Sequence, residues 1–114
     1  MKITVSEFNH IATKVTLAGK LDIAGAEVID LPLASVAGQR RNIVVDMSAV
    51  DFIASIGIRH LVMAAKTVAR GAGKLVLLNP TPFVTEVLTT TGLETILPIV
   101  RTEAEALAAL DGNA

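Results

Sequence analysis

The segment Asn42-Ile43-Val44-Val45-Asp46-Met47-Ser48-Ala49-Val50-Asp51-Phe52-Ile53-Ala54-Ser55-Ile56-Gly57-Ile58-Arg59 changes periodicity along its length. Its start, Ile43 to Val45, is a continuous β-branched run between polar residues, the pattern of a strand buried on both faces. Beyond it, Ile58, Leu61, Val62, Ala65, Val68 and Ala69 recur at the spacing of an amphipathic helix. The strand is expected to end near Asp46 and to give way to a loop that carries Ser55 to the N-cap of the helix. A hydroxyl there accepts a bond from an otherwise orphaned backbone N–H. The same place favours added negative charge, because free N–H groups and the positive end of the helix dipole converge on it. Ser55 in this setting is a cap, a phosphate acceptor or a nucleophile.

Working outward, Lys2 to Phe8 alternates like a half-buried strand, Asn9-His10 suits a turn, and Ile11 to Ala18 forms a second strand of a hairpin. Gly19-Lys20-Leu21-Asp22 breaks the alternation, and Asp22 opens a helix from about Ala24 to Val36. Pro32 is expected to kink that helix or divide it into two pieces. After the helix that follows Ser55, Gly71 and Gly73 act as stops and Lys74 to Leu78 is a further apolar strand. Thr81 is placed as an N-cap with Pro82 at the first helical position, and that helix should end by Gly92. Ile96 to Val100 contains Pro98, which suits an edge strand. Thr102-Glu103-Ala104-Glu105 has capping-box spacing before a terminal helix. The order is ββαβαβαβα. The fold class is α/β, one domain over residues 1–114, with a mixed and mostly parallel sheet after an N-terminal hairpin.

Composition narrows the function. The 114 residues support one domain with a modest core, and 52% of them are hydrophobic. The longest charge-free run, Leu75 to Thr85, is eleven residues and contains two prolines, so no membrane insertion is expected. The N-terminus shows no apolar signal segment, and the absence of cysteine suits a cytoplasmic protein without disulfides or thiolate metal sites. A net charge of −1 and three aromatic residues (Phe8, Phe52 and Phe83) argue against direct nucleic-acid binding. So apolar a domain of this size leaves surface for a partner protein or a weak homo-oligomer.

No catalytic or metal constellation emerges, and no cofactor is expected. A nucleophile elbow needs glycine two residues before the serine, where Ile53 stands, and no carboxylate is evidently placed to orient His60. Gly71-Ala72-Gly73 lies between helix and strand, the wrong order for a dinucleotide loop, and Asp46 and Asp51 read as strand-end residues rather than Mg²⁺ ligands. The helix after Ser55 is more informative. Arg59, Met63, Lys66 and Arg70 form a basic stripe with an apolar member, and Ile56 begins the adjoining row with His60 and Met63. Strand-to-helix connections of parallel units open at the carboxyl ends of their strands. Asp22, Ser55, Ile56, Arg59 and Met63 should therefore share one surface.

At these residues the chain resembles the STAS domain, in particular the anti-sigma-factor antagonist family. Gly19-Lys20-Leu21-Asp22 is similar to its G-x-L-D motif, and Asp46 to Ile58 resembles its D-L-S-x-V-x-F-[IM]-D-S-S-G-L segment. Asn79-Pro80 and Thr91-Gly92-Leu93 match later signatures. The resemblance implies the same ββαβαβαβα order and a binding protein rather than an enzyme. It further implies that a serine-kinase anti-sigma factor phosphorylates Ser55, that the unphosphorylated chain sequesters this kinase, and that a PP2C-type phosphatase resets it. Asp22 and Gly57 match family positions, Asp22 near the partner surface. Ala54 stands where the family often has Asp, Ile56 where it has a second Ser, and Lys20 where Glu is frequent. Ala54 and Lys20 thereby reduce negative charge beside the site. The same modules also occur in stressosome-like scaffolds and transporter complexes.

Overall fold

The computed structural model describes residues 1–111, so residues 112–114 of the expected domain lie outside the described part. Strands β1 (Lys2–Phe8) and β2 (Ala12–Leu21) form the hairpin, with Asn9 and His10 both at positive φ in its turn. They are followed by α1 (Ile23–Gln39), β3 (Asn42–Ile53), α2 (Ser55–Arg70), β4 (Lys74–Leu78) and α3 (Pro82–Thr90). A 3₁₀ turn at Leu93–Thr95 leads to β5 (Ile99–Val100) and α4 (Glu103–Asp111). The sheet order is β1-β2-β3-β4-β5, antiparallel between β1 and β2 and parallel thereafter, which is the expected ββαβαβαβα arrangement.

One face of the sheet carries the main core. Val15, Leu17, Leu21, Val45 and Met47 meet Ile29 and Leu33 of α1, Leu61 and Val68 of α2, and Val84 and Leu88 of α3. The other face has a smaller cluster in which Phe8, Val44, Val76, Leu78 and Val100 pack against Ala106 and Leu110 of α4. On this second face Lys14 of β2 bridges Glu103 at 3.0 Å and Asp46 at 3.7 Å.

Three expectations are corrected. Neither β2 nor β3 stops where its periodicity does. β2 continues through Gly19 and Lys20 to Leu21, and β3 runs on from Asp46 to Ile53. Pairing passes from Thr16↔Asp46 to Ala18↔Ala49, and from Gly19↔Val50 to Lys20↔Phe52, so β3 twice holds an extra residue. Each bulge shifts the alternation, and the buried residues Met47, Val50 and Ile53 recur every third position. Asp46 steadies the first bulge, its Oδ1 accepting from Ser48 N at 3.0 Å and from Ser48 Oγ at 2.7 Å. Pro32 does not divide α1, which is one helix. The N–H that proline lacks would have met the Val28 carbonyl, and both residues are solvent-exposed, so water can take the freed acceptor. The edge strand expected over Ile96 to Val100 is only Ile99–Val100, and Ile96, Leu97 and Pro98 connect it to the 3₁₀ turn at Leu93–Thr95.

Candidate functional site

The carboxyl ends of β2 and β3 and the starts of α1 and α2 are joined backbone to backbone, Ala54 N donating to Leu21 O at 2.9 Å. Asp22 follows Leu21 and caps α1, its Oδ1 accepting from Gly25 N at 2.8 Å. Ser55 follows Ala54. Two glycines let the helices seat this closely. A Cβ on Gly57 would lie 2.5 Å from Leu21 Cγ, and one on Gly25 would overlap the Lys20 carbonyl. Gly57 is buried and offers a partner no side chain; its contribution is that close approach.

Ser55 is displaced by one residue from its expected place. Ala54, extended at φ −103° and ψ 167°, is the N-cap, and Ser55 is the first helical residue. Among the described residues no side chain caps α2 and the Ser55 hydroxyl makes no hydrogen bond. The other helix starts differ: Asp22 caps α1, Thr81 caps α3, and Thr102 Oγ1 accepts from Glu105 N at the start of α4. Gly57 N and Ile58 N donate to Ala54 O at 3.0 and 3.1 Å, and the amides of Ser55 and Ile56 before them are left to solvent or to an incoming anion.

Around Ser55 the rim is partly apolar. Ile56 is half-buried, Met63 is 57% exposed, and Arg59 is exposed with no ion pair among the described residues. Asp22, Ser55, Ile56 and Arg59 thus cluster around the Leu21–Ala54 bond, while Met63 lies two turns along α2. Lys20 and Asp51 add a loose pair at 4.0 Å.

Two features went unrecognised in the sequence. Phe52 and Phe83 stack at this same end, ring centroids 6.1 Å apart and planes 14° from parallel, while 38% and 48% exposed. Thr81 brings them together, since it caps α3 and donates through Oγ1 to Val50 O at 3.2 Å. Phe52 three residues before Ser55 and Phe83 just after an N1 proline were the available signals. In addition, His60 does have a carboxylate nearby: Asp30 of α1 lies 3.7 Å from its Nδ1. That pair spans the groove between α1 and α2, a turn beyond Ser55. Among the described residues no cluster of three or more metal-ligating side chains occurs, and no helix is long and apolar enough to cross a membrane.

A five-stranded mixed sheet with this helix order and a serine opening α2 defines a class. The chain belongs to the STAS domain family, whose model matches residues 2–106. It is 32% identical over 111 residues to a Bordetella bronchiseptica protein provisionally named as the anti-sigma factor antagonist BtrV, covering 96% of this chain and 94% of that one. The fold is shared with the unphosphorylated form of the anti-sigma factor antagonist SpoIIAA, at 24% identity, TM-score 0.79 and 97% coverage of both chains. The phosphorylated form of SpoIIAA, from Bacillus, aligns with TM-score 0.72 at 23% identity, over 95% of this chain and 98% of that one. A STAS domain protein from Planctomyces limnophilus aligns with TM-score 0.81 at 25% identity, over 94% and 95% of the two chains.

Proposed function

We propose that this chain is an anti-sigma-factor antagonist whose binding is switched at Ser55. Its partner is a serine-kinase anti-sigma factor, which docks on the rim formed by Asp22, Ser55, Ile56, Arg59 and Met63, with Gly57 holding that rim close to β2. A PP2C-type phosphatase restores the free hydroxyl. The observation that carries this reading is the exposed Ser55 at an uncapped helix start, beside apolar side chains and one turn from an unpaired arginine. The name of the Bordetella relative supports the assignment.

The chemistry follows from the geometry. Phosphorylation adds about −1.5 to −2 charges at neutral pH. Free amides and the helix dipole favour that charge, and Arg59 can reach back to a phosphate oxygen. The fold therefore tolerates the modification, whereas a partner packed on Ile56 and Met63 meets a hydrated anion it must desolvate. A penalty of ~3 kcal/mol lowers affinity more than a hundredfold. Ala54 in place of Asp and Lys20 in place of Glu leave this rim less acidic than the family pattern, so the partner surface should be correspondingly less basic.

The test is incubation with the partner kinase and ATP, followed by intact-mass and affinity measurement. Wild type should gain one phosphoryl group and lose affinity, Ser55→Asp should bind weakly, and Ser55→Ala should bind without being modified. Alanine at Ile56 or Met63 should weaken binding in a chain that stays folded. Equal affinity of wild-type, phosphorylated and Ser55→Asp protein would leave Ser55 with no switching role.

A further inference from the structure

Helices α1 and α2 lie side by side on the outer face of the molecule, and α1 keeps three large apolar side chains in water. Leu31 is 79% exposed, Ile23 71% and Val28 45%, and Met63 lies across the groove on α2. Single exposed apolar residues are ordinary, but three on one helix, with Leu31 largely in water, mark a surface available for contact. The charges of this layer sort by helix. Those of α1 are acidic, Glu27 and Asp30, and those of α2 are basic, Arg59, Lys66 and Arg70. His60 of α2, the remaining titratable group, faces Asp30 across the groove.

The relative height of the two helices is fixed by the groove, which places Asp30 beside His60 and Leu33 and Ala34 beside Met63 and Ala64. Arg59 consequently stands level with the turn that holds Glu27 and Asp30. Two symmetric operations can bring this layer face to face with a second copy. An axis across the helices stacks α1 on α1 and α2 on α2, which sets acid on acid and base on base. An axis along the groove stacks each α1 on the α2 of the other copy, with Glu27 and Asp30 opposite Arg59 and Leu31 near Met63.

We propose that this layer is a homodimer interface, with its two-fold axis along the α1–α2 groove. The charge division identifies the occupant, because one chain carries both the acidic and the basic helix that such an isologous contact needs. The dimer goes beyond the phosphorylation reading and does not depend on it. Arg59 and Met63 belong to both surfaces, whereas Leu31 and Glu27 belong to the dimer alone.

Sedimentation velocity on a dilution series at low salt tests this. Wild type should pass from the mass of two chains to the single-chain 11.9 kDa on dilution. Leu31→Glu, at a position that contributes little to the fold, should remain at the single-chain mass. Glu27→Lys and Arg59→Glu should each raise the dissociation constant roughly tenfold or more, since each sets like charges opposite at two symmetric places. An equimolar mixture of those two variants should recover wild-type association, because α1 and α2 then meet with opposite charge at both contacts. Wild type that stays at the single-chain mass throughout overturns the proposal. So does a dimer that Leu31→Glu leaves intact, which would lie elsewhere, and so do charge variants that associate as wild type does, which would reject the axis.

Discussion

Ser55, as the first residue inside α2, has no capping bond to lose. Its replacement by alanine should change stability by no more than about 0.5 kcal/mol, the range of an ordinary surface substitution. Ala54 is the position that matters for the helix. Ala54→Ser supplies the missing side-chain acceptor and should stabilise the domain by roughly 0.5–2 kcal/mol. Urea unfolding of the two variants checks both values, and a large loss for Ser55→Ala would mean that the hydroxyl has a partner other than solvent. The sequence located this serine to within one residue because the helical stripe begins so clearly at Ile58. It could not settle the last step, since a serine and an alanine in an extended-to-helical turn differ only in a hydrogen bond that one makes. Phe52 and Phe83 were harder to connect, being 31 positions apart and joined through the Thr81 hydroxyl and the end of β3.

Among the elements, the β2–β3–α4 junction has a distinct pH dependence. Its hydrogen bond to Glu103 raises the Lys14 pKa above the ordinary 10.5, helped by the charges of Glu103 and Asp46 and opposed by partial desolvation. A raised folded-state value favours the protonated folded chain. The resulting stabilisation is fully present below 10.5 and is lost as pH rises through the folded value. Melting curves taken from neutral to alkaline pH should show a smaller decline for Lys14→Gln than for wild type, with the two chains most different at neutral pH. Element by element, legibility followed periodicity. The hairpin, the first half of β3, β4 and α2 were readable because their apolar spacing matches a single period. The second half of β3 was not, because Met47, Val50 and Ile53 at every third position fit neither strand nor helix. Pro32 does not divide α1, since the Val28 acceptor it frees lies at an exposed position where water can reach it.

For the molecule as a whole, the rim is built from the most constrained parts of the chain. Leu21, Ile53 and Leu61 are at most 5% exposed and lie directly beneath it, so the surface is carried on the main core rather than on a loose loop. Ser55→Asp should therefore perturb backbone amide shifts near Asp22, Ala54 to Arg59 and Phe52, and leave the hairpin turn and α4 unchanged. Shifts spread across the sheet to Asn9 or Leu110 would show a global rearrangement instead. The Leu21–Ala54 hydrogen bond and the close seating of Gly57 also bear on time. Nothing in such a rim has to unfold, hinge or wait for a slow isomerisation before its surface changes. In the switch proposed above, the state of the domain is one covalent ester at Ser55, and the duration of that memory would be set by the enzymes that make and break it.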